Sequence, residues 1–330
     1  MKQISKRILW ILRLPKLNQP AKCNPMIADQ KILSQKTVET NILYSFKNFI
    51  SIASELGKMR ITFFVGITTV IGYILATSSV DLKIALTTFG VFLIASGSSA
   101  LNHVQEAKYD SMMDRTKSRP IPSGKISKTN AGIFAVALLF SGSILMFISS
   151  GFVPLGLAFL TLVWYNVIYT PLKQKFALAI IPGSLVGALP PVIGWAASGL
   201  SIFEDPILAL ALFFFVWQIP HFWLLLILHG KDYEKAGYPT LNKLFSDSQL
   251  SRISFIWIAA LAVLSLFIVS FDASFTAYSI TSLIALAVWL VLTSRKLLDE
   301  FSRLVVKKSF LTINLYVLLV VLVLSIDKLI

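Results

Sequence analysis

The chain has one cysteine, Cys23, and three histidines, His103, His221 and His229, among 330 residues. A lone cysteine excludes an internal disulfide framework and a cysteine-built metal cluster. Charge is scarce as well: 14% of the residues are charged, where a soluble domain carries about a quarter. Acids are fewer still, 16 against 30 bases. So little charge in a chain that is 56% hydrophobic excludes an ordinary soluble domain and points to a membrane-spanning one. The formal net charge of +14 would suit a nucleic-acid partner, until the charges are placed along the chain.

Apolar runs long enough to cross a hydrocarbon layer of about 30 Å recur from Ile61 onward. They predict spans at 61–78, 83–101, 130–149, 152–169, 177–198, 206–229, 253–271, 276–293 and 309–326. The fold class expected is therefore an all-α integral membrane protein, about nine helices in a single bundle around a central cavity. Residues 1–54 read as a basic cytosolic tail that could lie on an anionic membrane surface, and 55–330 as the transmembrane domain. No cleavable secretory signal is expected, because the apolar run Ile8–Leu12 is short and Arg13 interrupts it. With the tail cytoplasmic, every basic residue except Lys83 and Lys328 falls on the inner side. That is the positive-inside bias. Topology thus accounts for the net charge, and no nucleic acid is called for.

Three polar constellations interrupt the apolar pattern. In the first, Asn102, Glu106, Asp110 and Asp114 recur every fourth residue, followed by Arg115, Lys117 and Arg119. On a helix that spacing makes one slowly drifting stripe. It admits two readings: a solvated loop, or carboxylates that bind Mg2+ together with phosphate oxygens while the arginines neutralise the rest. Pro120 and Pro122 are expected to end this helix. The second constellation is Val216–Leu241, where Pro220 removes a backbone donor among Trp217, Gln218 and His221. An intramembrane histidine there either bonds within the bundle or meets a ligand. Lys231, Asp232, Tyr233 and Lys235 follow as a second acid–cation group, with a single acid. The third is Tyr169–Trp195, where Gly183, Gly187 and Ala188 would let helices approach closely and Lys173 and Lys175 lie on the inner face. The first two polar connections stand four helices apart, which hints at a duplicated half that brings both loops to one cavity.

Together these segments resemble the UbiA superfamily of intramembrane aromatic prenyltransferases, and within it the protohaem IX farnesyltransferases. Asn102, Glu106, Asp110 and Arg115 match the superfamily's first acidic motif, and Arg115-Thr116-Lys117-Ser118-Arg119-Pro120 resembles its continuation in the haem-modifying branch. Trp217-Gln218-Ile219-Pro220-His221-Phe222, then Asp232-Tyr233 and Ala236-Gly237-Tyr238-Pro239, carry most of that narrower likeness. Tyr169-Thr170-Pro171-Leu172-Lys173, Gly187–Trp195 and Lys58-Met59-Arg60-Ile61-Thr62 also fit.

The resemblance implies transfer of the farnesyl group of farnesyl diphosphate to a vinyl group of haem B. It implies Mg2+ on Asn102, Glu106, Asp110 and Asp232, diphosphate on Arg115, Lys117, Arg119, Lys173, Lys231 and Tyr233, and haem beside Trp217, Gln218 and His221. It further implies a bacterial cytoplasmic (inner) membrane, with the mitochondrial inner membrane as alternative, and a haem A synthase or oxidase assembly factor as partner. Two other functions fit the same residues: prenyl transfer to a quinone precursor, and a transporter using the stripe as an ion path.

Overall fold

A computed structural model describes residues 47–299 and 302–330. Most of the expected basic tail, 1–54, lies outside the described residues. The described chain is helical, with nine helices long and apolar enough to span a membrane. They are α1 Met59–Thr77, α2 Leu82–Met112, α3 Lys128–Ser150, α4 Phe152–Leu172, α5 Ala177–Ala197, α6 Asp205–Lys235, α7 Asp247–Ser270, α8 Ala277–Asp299 and α9 Arg303–Leu329. Their starts carry the expected sequence signals. Asp81 caps α2 by accepting from the Ile84 amide at 2.9 Å, and Ser127 caps α3 by accepting from Asn130 at 3.1 Å. Ser246 and Gln249 form a capping box at α7.

Several helices outrun the apolar segments that announced them. α2 continues from 101 to Met112, α6 to Lys235, and α7 and α9 begin at Asp247 and Arg303. Hydropathy marks only the part in lipid, whereas the backbone bonds of a helix persist wherever its side chains find partners. The end expected for α2 at Pro120 is corrected: the helix stops at Met112, and Met113 is extended, with φ −98° and ψ 131°.

Helix α1 packs against α2, α5 and α9, which closes the bundle. The main core runs through Phe213 and Phe214 of α6, Ile258 and Leu261 of α7, Leu283 and Leu290 of α8, and Tyr316 and Val320 of α9. Large apolar side chains such as Phe63, Phe140, Val263, Leu292 and Leu311 face outward, as a lipid-facing belt requires. Because lipid is as apolar as the core, close packing rather than hydrophobicity holds such helices together, and it needs small residues at the seams. At the α1–α5 seam, a Cβ on Gly72 would stand 1.9 Å from the Pro191 carbonyl oxygen, and one on Gly194 would stand 1.8 Å from that of Thr69. Gly183 and Gly187 do something different from the expected helix–helix approach. They receive side chains, the Tyr169 ring and the Gln218 amide respectively.

Candidate functional site

The inner half of α2 carries the site's acids. Asn102, Glu106 and Asp110 are all buried, one turn apart. Burial of a polar stripe requires partners, and most come from α4. Residues Trp164–Tyr169 form a π-helical turn there, a local widening that often sits at functional sites. It aims Asn166 at α2, where its amide bonds the Ser98 hydroxyl, the Ser98 carbonyl and Gln105. One residue past the π-turn, the Thr170 hydroxyl accepts from the Asn102 amide at 3.1 Å. That contact leaves the Asn102 carbonyl oxygen facing Lys58, whose Nζ lies 3.4 Å away.

Each carboxylate has a cation beside it. Lys173, just past α4, lies 2.8 Å from Glu106, and the Tyr238 hydroxyl donates to the same carboxylate at 2.9 Å. Arg119 reaches both oxygens of Asp110 at 2.8 and 2.9 Å. The loop that carries Arg119 is folded back by the Thr116 hydroxyl, which donates to the Asp110 carbonyl at 2.9 Å. Arg115 bonds the Tyr233 hydroxyl at 3.2 Å, which ties this loop to the end of α6. The two polar connections expected to share one cavity are thus in direct contact.

Burial opposes the charge on Lys173, but Glu106 beside it holds its pKa above the ordinary lysine value. Burial, and then the Glu106 charge, push the Tyr238 phenol up. Lys58 is lowered to about 7, by burial first and then by Arg119 and Lys173. Asp114 has left the stripe because α2 ends before it. Its carboxylate is exposed between Lys117 and Lys235, at 2.8 and 2.6 Å, whose bonds hold it at about 2.

These groups line a cavity of about 340 Å³ with a polar end, formed by Asn102, Glu106, Asp110, Arg115, Arg119 and Lys173, and an apolar side that includes Phe176, Ile180, Phe222 and Leu225. A second cavity of about 260 Å³ is lined mainly by Val65, Val91, Ile94, Leu162, Pro190 and Ile193. Lys58, Ile61, Tyr165 and Phe222 line both.

The structure brings Asn102, Glu106, Asp110, Arg115, Arg119, Lys173 and Tyr233 together, and Gln218 lines the apolar cavity. It does not bring Lys117, Lys231, Asp232, Trp217 or His221 to either lining. Lys117 is engaged with Asp114 at the surface. His221 shares a 2.8 Å hydrogen bond with Asn314 of α9 and packs on Trp217 and Phe310. Among the described residues, no group of three Asp, Glu, His or Cys side chains is placed to hold a metal unaided. Two buried carboxylates and an amide oxygen one turn apart nevertheless suit a hard cation that keeps waters and takes phosphate oxygens as its other ligands. The residues fit Mg2+ on those terms. Sequence reasoning gave no role to Lys58, His103, Asn166, Thr170 or Tyr238. Lys58, Thr170 and Tyr238 stand in the motifs that carry the family resemblance, but nothing local shows that they fold onto α2.

Fold and site together define a polytopic intramembrane protein whose polar basin, rich in buried acids and cations, opens on an apolar chamber. That is the shape of a receptor for an anionic head with an apolar tail. The chain belongs to the UbiA prenyltransferase family, whose family model matches residues 65–322. It is 37% identical over 216 residues to a protohaem IX farnesyltransferase of Geobacter sulfurreducens, covering 66% of this chain and 80% of that one. With the Xylella fastidiosa protohaem IX farnesyltransferase it shares 33% over 265 residues, 78% of this chain and 88% of that one. With the mitochondrial protein of that name from Arabidopsis thaliana it shares 40% over 192 residues, 57% and 44% of the two chains. The fold is that of a solved digeranylgeranylglyceryl phosphate synthase, at TM-score 0.69 and 18% identity over 85% of this chain and 98% of that one. A UbiA homolog from Archaeoglobus fulgidus, bound to GPP and Mg2+, shares it at TM-score 0.59 and 15% identity, over 83% and 99% of the chains.

Proposed function

We propose that this protein transfers the farnesyl group of farnesyl diphosphate to a vinyl group of haem B, and that water then adds to the cation left on the vinyl carbon and loses a proton, giving the hydroxyethylfarnesyl side chain of haem O. The observation that supports this most is the buried Asn102–Glu106–Asp110 stripe, matched by cations at the entrance to an apolar chamber. The names of the sequence relatives support haem as the acceptor.

The diphosphate lies in the basin and the prenyl tail in the apolar cavity. Breaking the carbon–oxygen bond leaves the electron pair on the diphosphate, where Arg119, Lys173 and Arg115 stabilise the added negative charge. Asn102, Glu106 and Asp110 would hold Mg2+, which when bound supplies further positive charge to the leaving group. Val91, Ile94 and Ile193 keep water from the allylic cation until the vinyl group reacts. The apolar side of the first cavity, at Phe176, Ile180 and Leu225, receives the macrocycle. The basin faces the cytoplasm on this reading, which the excess of Lys and Arg at its end of the bundle supports.

The test is an assay of membranes containing the full chain with farnesyl diphosphate and either haem B or 4-hydroxybenzoate, with Mg2+ present or chelated. We expect farnesylated haem only with Mg2+. Transfer to 4-hydroxybenzoate alone would replace the acceptor, and transfer to haem in full without a divalent cation would remove the metal. Tyr238→Phe deletes one hydrogen bond to Glu106 and is expected to lower the rate about 5- to 10-fold. The loss should appear mainly as a raised Mg2+ requirement in a titration of rate against metal.

A further inference from the structure

Lys58 adopts a left-handed backbone, φ 46° and ψ 47°, immediately before α1. A side chain with a Cβ is strained in that conformation. Local bonds hold it there: the Lys58 amide donates to Glu55 at 3.2 Å, and the Gly57 amide to Ala53 at 2.9 Å. The strained turn directs the ammonium inward, where it donates to the neutral Asn102 oxygen. Lys173 and Arg119 each neutralise a carboxylate, but Lys58 makes no ion pair among the described residues. Its pKa near 7 has the same origin, an enclosed charge with two other cations nearby. A second unsatisfied group stands beside it. His103 is buried, lines the same basin, and neither ring nitrogen has a hydrogen-bond partner. A buried imidazole without a partner is destabilising, a cost that a ligand oxygen would remove.

Position identifies that oxygen. Among the residues lining the two cavities, Lys58 is the only charged one common to both. A molecule with its anionic head in the basin and its tail in the apolar cavity has its head-to-tail bond at their junction. We propose that Lys58 holds the ester oxygen that joins the diphosphate to the first prenyl carbon, with His103 donating a second hydrogen bond to the same phosphate. This rests on the prenyl-transfer reading above and adds the group at the scissile bond. The carbon–oxygen bond breaks, both electrons remain on the oxygen beside the Lys58 ammonium, and the allylic cation passes to the acceptor. No proton moves at Lys58 in that step.

The experiment compares the full-length parent with Lys58→Met, Lys58→Arg and His103→Leu in lipid nanodiscs. Inorganic pyrophosphate binding is measured by calorimetry, and single-turnover transfer with saturating farnesyl diphosphate. Lys58→Met should slow transfer about 100-fold, weaken pyrophosphate at least tenfold because the released oxygen keeps its charge beside Lys58, and melt no lower than the parent because a half-buried charge without a carboxylate partner is gone. Lys58→Arg should recover at least tenfold of the loss. His103→Leu should weaken pyrophosphate about tenfold. Transfer by Lys58→Met within threefold of the parent overturns the assignment, as does failure of arginine to recover any rate. If the parent transfers to 4-hydroxybenzoate and not to haem B, the haem reading falls while the Lys58 comparison is still made on that acceptor. If the parent transfers to neither, pyrophosphate, whose terminal oxygen takes the place of the ester oxygen, replaces the rate measurement. Lys58→Met should then bind it at least tenfold more weakly than the parent, and equal affinity overturns the assignment.

Discussion

Asp110→Asn is expected to abolish prenyl transfer, with a loss of about three orders of magnitude or more, in a chain that still inserts and stays folded. The substitution keeps the side chain's volume and removes one of the two buried carboxylates in the basin. Asp110 is 1% exposed and engages Arg119 through both oxygens. An amide offers one acceptor where two stood, so Arg119 keeps a partner but the basin gains a unit of positive charge. Losing a charged ligand from a site of two carboxylates and an amide removes much of its attraction for a hard cation. Arg119, no longer neutralised, would still attract the diphosphate. The expected signature is therefore a lost rate with retained pyrophosphate binding, together with loss of Mn2+ binding followed by electron paramagnetic resonance. An active Asp110→Asn protein, or one that binds Mn2+ like the parent, would sink the metal assignment. Asp114→Asn makes the contrast: that side chain sits 56% exposed between two lysines, where ion pairs contribute little, and its rate should stay within about twofold of the parent.

Gly194→Ala is expected to cost about 3 kcal/mol or more of stability, and Gly72→Ala about as much. The added Cβ would lie 1.8 Å from the Thr69 carbonyl oxygen in the first case and 1.9 Å from that of Pro191 in the second. In both cases the obstacle is backbone of the facing helix, which cannot rotate away as a side chain can. The α1–α5 seam must open instead, and overpacking of this kind typically costs 1–3 kcal/mol, more where nothing yields. Opening the seam also moves Lys58, at the head of α1, from the basin. Gly132→Ala and Gly156→Ala are the controls, since a Cβ at either position meets nothing within 4 Å. Melting followed by size-exclusion in detergent should separate the pairs, with the seam variants aggregating well below the controls. Equal melting temperatures would mean that α1 and α5 are not in backbone contact.

The separation between what was legible and what was not follows the range of the forces involved. Hydropathy and the loop charges are properties of short windows, so the nine helices, the strongly basic end and the Asn102–Glu106–Asp110 spacing could all be read directly. The helix ends could not. α2 continues to Met112 and then turns extended at Met113 because the Thr116 hydroxyl and Arg119 fold the loop back onto Asp110, contacts that no window of sequence contains. That turn separates Asp114, an equal member of the four-residue spacing, from the three buried members of the stripe.

His221 shows the same division from the other side. Its place beside an intramembrane proline marked it as needing a partner, which is correct chemistry for a buried imidazole. The partner is Asn314, 93 residues away on α9, while His103, to which sequence reasoning assigned no role, is left without any. By itself the sequence determined that this chain spans a membrane about nine times and carries acids and cations at one end, because composition and periodicity act locally. Only the tertiary structure decided which acid meets which cation, and that Lys58 stands where the polar and apolar cavities join. Those pairings depend on helix packing across the bundle, where a carbonyl facing a glycine sets distances that no neighbouring residue records.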